Sequence, residues 1–228
     1  MLTRYSKIIE KMPREFLLLQ GKGCFWKKCT FCDYHKDVSD NPFAINQPVI
    51  DKITGEFGVV DVINSGSALE IDDKSIEYLS KTLEMRNVHT LWLESHWLNH
   101  DKLAEFSKKF KGVEVKFRCG VETFDTKMRD MWNKGIKSQV SPEEIAKYFD
   151  GICLLIGVKG QKKESIKRDI SIAMANFEYF SINAFVENST PLKRDEDLVK
   201  WFEKEIYPTI KNENKIEVLL NNTDLGVG

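Results

Sequence analysis

The sequence predicts an α/β fold with a parallel sheet, either a partly closed β/α barrel or an open doubly wound sheet. Short β-branched or aliphatic runs alternate with amphipathic charged stretches over almost all of the 228 residues. Most of these runs end in a polar or glycine-bearing segment, which is where parallel folds build their sites. No linker or low-complexity tract divides the chain, so we expect one domain over residues 1–228.

Seven runs have the composition of strands, at residues 16–20, 59–64, 90–94, 113–119, 152–157, 180–185 and 216–220. The stretches between them predict helices at 48–57, 74–85, 101–110, 125–132, 142–149, 163–176 and 195–205. The helix at 142 has a marked start, because Ser141 is suited to an N-cap and Pro142 to the first helical position. Strand followed by helix, repeated in this way, implies right-handed crossovers between parallel strands.

Composition and charge exclude several classes of protein. With 34 basic and 35 acidic residues, the chain lacks the surplus of cations that gripping duplex nucleic acid requires. The first residues are charged, and no apolar run reaches the length of a membrane span. An odd number of cysteines, three of them clustered, suits metal-bound thiolates in a reducing cytoplasm. We therefore expect a cytoplasmic protein that does not act on membranes or duplex nucleic acid.

The most informative segment is a loop, at 21–35, that follows the first predicted strand. It carries Cys24, Cys29 and Cys32 in the spacing C-x4-C-x2-C. Three thiolates cannot all pair as disulfides, and they are one ligand short of a four-cysteine site, so the loop predicts a metal centre with an open position. His35 could complete a Cys3His zinc knuckle, but such knuckles stabilise small modules that lack a core.

The loop resembles the cluster motif of the radical S-adenosylmethionine (SAM) superfamily, whose usual spacing is C-x3-C-x2-C. The resemblance implies that the three cysteines hold three irons of a [4Fe–4S] cluster, with SAM on the fourth iron. It also implies that cleavage of SAM gives a 5′-deoxyadenosyl radical that abstracts hydrogen from a substrate. Phe31 matches the aromatic residue before the last cysteine, and Tyr34 matches the residue whose backbone meets the adenine. Membership of this superfamily favours a partial (β/α)6-type TIM-like barrel.

Later segments carry further parts of the resemblance. Ser65, Gly66 and Ser67 are similar to the small-residue turn that receives the methionine amine of SAM, although an ordinary strand-to-helix turn would have the same composition. The segment 120–123 and the later Asn-Lys-Gly at 133–135 are similar to the G-x-E-T and N-K-G motifs of elongator-type and archaeal relatives. Glu122 is therefore expected near the cofactor or the substrate, and Gly157 beside the adenine.

One segment departs from the relatives. Where they often carry an arginine after the third strand, this chain has His96, preceded by Glu94 and Ser95. Because histidine is neither permanently charged nor bidentate, either Arg118 or a lysine takes the carboxylate of SAM, or His96 faces another group. A plain surface histidine is the alternative. We expect Glu94 and Glu122 to be the catalytic carboxylates.

The tail at 214–228 gives the clearest indication of the substrate. A predicted strand runs into Asn221, Asn222 and Asp224, whose amides and carboxylate could read a heterocycle or a diol. A disordered polar terminus is the alternative. With Glu94, Glu187 and His96, these residues form the expected substrate site for a small polar, nucleoside-like metabolite.

In size and organisation the chain resembles the queuine lyases, which free a deazapurine base from its nucleoside or nucleotide. That resemblance implies cleavage of the N-glycosidic bond of queuosine or its 5′-phosphate, with an electron donor of the flavodoxin or ferredoxin type. Two alternatives remain open at this point. One is a radical SAM enzyme of another reaction, such as an activase or a sulfur- or carbon-inserting enzyme. The other is a zinc-stabilised binding protein without turnover.

Overall fold

The computed structural model describes residues 3–221, in which eight strands form one continuous curled sheet. Their bounds are β1 Tyr5–Ile8, β2 Arg14–Leu19, β3 Val59–Asn64, β4 Thr90–Ser95, β5 Glu114–Glu122, β6 Gly151–Ile156, β7 Tyr179–Ala184 and β8 Ile216–Leu219. Strand order in the sheet follows the chain, β1 to β8. All pairings are parallel except that of β1 with β2. The predicted partial barrel is confirmed.

Helices connect the parallel strands. They are α1 Pro42–Ile50, α2 Asp73–Met85, α3 Leu103–Ser107, α4 Thr126–Met131, α5 Pro142–Ala146, α6 Lys163–Asn176, α7 Glu196–Trp201 and α8 Tyr207–Ile210. Polar side chains cap several starts: the Asp72 carboxylate accepts from Ser75 N at 2.9 Å, and the Ser141 hydroxyl accepts from Glu144 N at 3.2 Å. Each such bond satisfies an amide that the helix itself leaves without a partner.

Hydrogen bonds across the interior of the barrel stabilise the curled shape of the sheet. Arg14 on β2 donates Nε to Asp61 on β3 at 3.0 Å and Nη2 to Glu217 on β8 at 2.7 Å. One guanidinium therefore ties an early strand to the last one across the interior. Arg118 on β5 donates to both oxygens of Asp61, at 2.9 and 3.2 Å, and the hydroxyl of Tyr179 donates to Glu217 at 2.6 Å. We call these five residues the floor network.

The floor network is fully enclosed by protein at its centre, where Arg14, Asp61 and Arg118 are at most 4% exposed. Burial alone would raise the pKa of the Asp61 carboxyl, but Arg118 and Arg14 hold that pKa below its usual value. Around the sheet, the aliphatic residues on its outer face and the inner faces of the helices form one large core. No helix within residues 3–221 is long and apolar enough to span a membrane.

Three elements differ from the sequence prediction. The strand β1 was missed, since its four residues mix polar and apolar side chains without a clear alternation. The first helix begins at Pro42 rather than at 48, because Asn41 caps the amide of Ala44 and Pro42 occupies the first position. The helix predicted at 101–110 is a 3-10 segment, Trp97–Lys102, followed by the short α3.

Candidate active site

The cysteine loop lies over the carboxyl ends of the strands, where it is fixed by the turn after β3. The carboxylate of Glu70 accepts from Phe25 N and from Ser67 N, both at 2.7 Å. A Cβ on Gly66 would lie 2.9 Å from Cys24 Cα and 2.0 Å from a Glu70 oxygen. Only glycine therefore lets the two backbones approach this closely. The predicted small-residue turn and the first cysteine are in direct contact.

The other side of the loop rests on the segment that follows α4. Thr30 N donates to Trp132 O at 3.1 Å, and Trp26 Nε1 donates to Asn133 O at 2.6 Å. A Cβ on Gly135 would lie 2.8 Å from the Trp26 ring, and Gly135 has a φ of +74° that favours glycine. The predicted N-K-G segment at 133–135 thus supports the cluster loop directly.

The loop after β7 closes the third side. Asn188 Nδ2 donates to Phe31 O at 2.7 Å, and Ser189 donates its amide and hydroxyl to the Asp33 carboxylate at 3.0 and 2.7 Å. The Phe31 ring packs edge-on against Trp132, with ring centroids 5.7 Å apart, in a small apolar cluster of its own. The segments after β3, α4 and β7 together therefore position the cysteines.

All five cysteines are free thiols, and the three of the loop are half-buried. Burial raises the pKa of Cys29 to about 11 and that of Cys32 to about 12, so a metal must displace their protons on binding. Within residues 3–221, no three His, Cys, Asp or Glu side chains are grouped to hold one metal ion. A [4Fe–4S] cluster takes one thiolate for each iron, so its ligands need not converge on a point. The donor set fits that cluster better than a zinc knuckle.

Below the loop, three charged side chains meet at the open end of the barrel, and one inward-facing amide lies near the carboxyl end of β7; we call these four residues the mouth cluster. They are Glu94, Glu122, Lys134 and Asn183. Lys134 Nζ donates to Glu122 Oε1 at 2.9 Å, and both residues are 8% exposed. A Cβ on Gly120 would lie 2.7 Å from Glu122 Oε1, 2.9 Å from Lys134 Nζ and 3.7 Å from Glu94 Oε1. The absence of a side chain at Gly120 makes room for all three charged groups.

Two features of the mouth cluster suggest a ligand. Glu122 has a left-handed backbone, with φ of +68°, at a bulge in the β5–β6 pairing. That conformation costs a non-glycine residue roughly 1–2 kcal/mol, and such strain concentrates at functional sites. The side-chain oxygen of Asn183, Oδ1, is buried with no hydrogen-bond partner among the described residues. Because side chains alternate along a strand, Asn183 and Tyr179 point to the same, inner face of β7.

Burial and neighbouring charges shift the pKa values of Glu94 and Lys134. Burial raises the pKa of Glu94, although the Arg118 guanidinium 4.0 Å away works in the opposite direction. Burial disfavours the Lys134 ammonium, but the facing Glu122 carboxylate raises its pKa above the usual value. Lys134 therefore remains a cation next to the cysteine loop, with Nζ 5.6 Å from the centre of the Phe31 ring.

His96 lies underneath the loop and is enclosed by backbone groups. Its Nε2 faces Lys134 O at 2.8 Å, and its Nδ1 accepts from Leu98 N at 3.2 Å. Because a carbonyl oxygen can only accept, the proton is on Nε2 and the ring is neutral. Burial lowers the pKa of His96 to about 3. The rings of Phe25 and Trp26 pack on it at 5.7 and 5.6 Å, so its contacts are those of a residue that supports the loop.

Comparison with known proteins identifies the family. No protein-family model matches the chain, and no curated protein sequence matches it. Solved structures do match, among them the "queuine lyase from Clostridium spiroforme bound to SAM and queuine", with a TM-score of 0.95 and 43% identity over 100% of both chains. This chain belongs to the queuine lyase family. The family assignment confirms the predicted radical SAM enzyme of the lyase type, and it agrees with the cysteine loop on which that prediction depended.

The structure brings most of the predicted site residues of this family member together. Those that meet at the mouth or in the cluster loop are Cys24, Cys29, Cys32, Phe31, Tyr34, Ser65, Gly66, Ser67, Glu94, His96, Arg118 and Glu122. Arg118 donates two hydrogen bonds to Asp61, and its buried Nε has no hydrogen-bond partner in the described chain but lies 4.0 Å from the Glu94 carboxylate.

Other predicted residues lie apart or outside the described part. Glu187 is exposed, pairs with Lys193 at 2.8 Å and accepts from Arg194 N. Gly157 has a φ of +80°, and a Cβ there would meet Val199 at 2.4 Å. Asn221 is exposed at the end of β8, whereas Asn222 and Asp224 lie outside the described residues.

Sequence reasoning did not select Glu70, Lys134 and Asn183 as site residues. Lys134 stood in a quoted motif, yet its side chain received no role, because nothing in a linear sequence shows that it meets Glu122. Asn183 could have been found from the alternation of side chains along β7, because it points to the same inner face as Tyr179. Glu70 follows the predicted turn by three residues, the spacing at which a carboxylate returns to a preceding amide.

Proposed function

We propose that this chain is a queuine lyase that uses SAM to release queuine from queuosine or its 5′-phosphate by breaking the N-glycosidic bond. The observation that carries the proposal is the full-length match, at 43% identity, to an enzyme whose structure contains SAM and queuine. The mouth cluster supports it, because the lumen-facing Glu94 carboxylate and the Asn183 side-chain oxygen, which has no partner among the described residues, suit the N–H and O–H donors of a polar heterocycle.

A [4Fe–4S] cluster would be held by Cys24, Cys29 and Cys32, each supplying one thiolate. When bound, the reduced cluster and SAM together supply radical hydrogen abstraction. The rigid anchoring of the loop by Glu70 and the segment at 133–135 keeps the three thiols in place for this role.

SAM would bind between the cysteine loop and the turn after β3. The backbone of Ser65, Gly66 and Ser67 is suited to the methionine amine, since Gly66 abuts Cys24 with no side chain between them. Tyr34 and Gly157 are proposed beside the adenine. For the methionine carboxylate, Lys134 is the better candidate than Arg118, because the Arg118 guanidinium already donates twice to Asp61.

The substrate would enter the barrel from its open end and meet Glu94. This side chain is about one third exposed, which leaves its carboxylate accessible from the lumen. Glu94 is proposed to accept hydrogen bonds from the base, Asn183 to read a neighbouring donor, and Glu122 to position the sugar beside SAM. Asn221, Asn222, Asp224 and Glu187 remain predicted substrate contacts.

An external one-electron donor of the flavodoxin or ferredoxin type is proposed to reduce the cluster. The five free cysteines support a reducing compartment, the cytoplasm, as the place of action.

Glu94→Gln tests the proposed substrate contact, with Glu84→Gln, at an exposed position on α2, as the matched control. Both changes neutralise one carboxylate, but only Glu94 faces the lumen. With dithionite as reductant and queuosine 5′-phosphate as substrate, we expect Glu94→Gln to lower kcat/KM for queuine release by about ten- to a hundredfold. We expect the iron content of both variants to equal that of the wild type. Full activity of Glu94→Gln would remove this residue from the proposed site.

A further inference from the structure

A patch beside the cysteine loop combines exposed apolar groups with unpaired lysines; we call it the Phe25 face. Phe25 is 49% exposed and Leu98 is 38% exposed. Together with Leu69, Glu70, Asn99 and Lys102 they line a surface hollow of about 340 Å³. The Phe25 backbone is fixed by the Glu70 carboxylate, and its ring packs edge-on against His96. The chain thus holds an apolar ring in solvent on a rigid support, which favours an interaction site.

Four lysines belong to this face: one lines the hollow with Phe25, and three lie in the cysteine loop that carries Phe25. Lys22, Lys27, Lys28 and Lys102 are all exposed, and none of them forms an ion pair within residues 3–221. By contrast, Lys109 pairs with Asp73 at 2.7 Å a short distance along the same surface. The Glu70 carboxylate accepts from two backbone amides and forms no ion pair with a lysine in the described chain, so the four cations of the face outnumber it.

The charge of this face is a local property. The whole chain carries a formal charge of −1, so four lysines without an ion pair in the described chain, in the cysteine loop and the adjoining hollow, are not a consequence of a basic composition. A positive patch on a nearly neutral protein steers an acidic partner to one orientation. The exposed ring at its centre adds apolar contact without demanding a large interface, as suits a transient complex.

The Phe25 face lies close to the three thiols of the loop, and this indicates which kind of partner would bind there. Phe25 directly follows Cys24, while Lys27 and Lys28 lie between Cys24 and Cys29. Lys28 lies over the Trp26 ring, with Nζ 4.7 Å from its centre, so this part of the loop is ordered by its own contacts. A partner seated here would be within a few residues of the metal ligands. Since electron transfer slows steeply with distance, this is the productive place for a reductant.

We propose that the Phe25 face is the docking surface for an acidic flavodoxin, which delivers the electron required by the proposed lyase reaction. Flavodoxins present the apolar edge of their flavin among carboxylates, which complements a phenyl ring among ammonium groups. In the step, the flavin hydroquinone is oxidised to the semiquinone and the cluster is reduced by one electron. No bond is formed or broken. The inference rests on the proposed function for the cluster but not on the identity of the substrate.

The test is the reconstituted holoenzyme with Lys22→Glu and Lys102→Glu combined. The matched control combines Lys111→Glu and Lys211→Glu, which cause the same change in net charge at exposed lysines before β5 and β8, at the other end of the barrel. The first readout is bleaching of the cluster absorbance by reduced flavodoxin and, separately, by dithionite. The second is the Kd for oxidised flavodoxin at several salt concentrations.

We expect the Lys22/Lys102 variant to be reduced by flavodoxin about tenfold more slowly than the wild type or the control at low salt. Its reduction by dithionite should be unchanged, and the dependence of its Kd on salt should be weaker. Phe25→Ala should weaken binding while leaving that salt dependence intact. Equal rates of flavodoxin reduction in the wild type and the Lys22/Lys102 variant would overturn the proposal. So would reduction by a ferredoxin, and not by flavodoxin, that depends on the same lysines.

The dithionite arm separates this inference from the proposed function. If dithionite bleaches the wild-type cluster but no queuine is released, the proposed reaction fails and the docking result still stands. If queuine is released with dithionite and the lysine substitutions have no effect with flavodoxin, the docking surface fails alone.

Discussion

The floor and the mouth of the barrel use the same kinds of charged side chain in opposite ways. In the floor network, Arg14 and Arg118 enclose Asp61 with short hydrogen bonds, and water is excluded. At the mouth, Glu94 keeps a carboxylate open to the lumen and Asn183 has a buried oxygen without a partner in the described chain. A carboxylate with both oxygens paired, as in Asp61, marks structure, whereas the incomplete pairing around Glu94 and Asn183 marks the place for a ligand.

Backbone strain follows the same division. Glu122 carries a left-handed backbone next to Lys134, while the residues of the floor network lie in regular strands. The conformational cost of this left-handed backbone is tolerated because the bulge directs the Glu122 carboxylate into the site. Substitutions at the mouth should therefore lower activity, and substitutions in the floor network should lower stability.

The largest effect is expected at the cluster loop. Cys29→Ala removes one of three thiolates, so the variant should lose its iron and all measurable queuine release while keeping its fold. Iron content, absorbance near 400 nm and circular dichroism measure this. Cys119→Ala is the control, since Cys119 is a buried thiol outside the loop and should leave the iron in place. A brown, active Cys29→Ala protein would contradict the ligand assignment.

The floor should show the reverse pattern. Asp61→Asn leaves Arg14 and Arg118 as buried charges without a full counter-charge, and this should lower the free energy of unfolding by about 3–5 kcal/mol. The exposed Asp101→Asn is the control and should be neutral within about 0.5 kcal/mol. Urea unfolding measures both. An unchanged midpoint for Asp61→Asn would show that the floor network does not stabilise the barrel.

Lys134→Met tests the mouth with a smaller expected effect. Loss of the ammonium beside Cys29 and Glu122 should weaken SAM binding by about ten- to a hundredfold. The nearby exposed Lys137→Met should have no effect. Equilibrium titration of the reconstituted protein with SAM measures the difference, and equal affinities would exclude Lys134 from the cofactor site.

The smallest effect concerns His96 and pH. The folded pKa of about 3 lies below the unfolded value of about 6.5, so the unfolded state binds more protons between these values. Stability should therefore fall as pH drops below about 6.5, by roughly 1.4 kcal/mol per pH unit from this residue. Urea unfolding at pH 7 and pH 5 should show this slope in the wild type but not in His96→Gln. The same pH dependence in both proteins would contradict a neutral, buried His96.

Sequence reasoning found the parts of the molecule that have a local signature. All seven predicted strands are present, because buried parallel strands are short runs of β-branched and aliphatic residues. The three cysteines were predicted as cluster ligands from their spacing and the family resemblance it carries, and the structure places them in one loop over the strand ends. The turn at Ser65 and Gly66 followed from its small residues, since close backbone approach leaves that mark on composition.

What the sequence did not reveal depends on contacts between distant segments. The floor network joins Arg14, Asp61 and Glu217 over some two hundred residues, and no local pattern marks such a pair. His96 illustrates the same limit. Its position after a strand indicated a site residue, but only the fold shows that both of its ring nitrogens are occupied by backbone groups.

Product analysis of one anaerobic reaction tests the proposed lyase activity most directly. Reconstituted protein, dithionite, SAM and queuosine 5′-phosphate are incubated together, and free queuine and 5′-deoxyadenosine are followed by mass spectrometry. We expect both products to accumulate with time and neither to form with Cys29→Ala. Formation of 5′-deoxyadenosine without queuine, or release of queuine by the Cys29→Ala protein, would contradict the proposed activity.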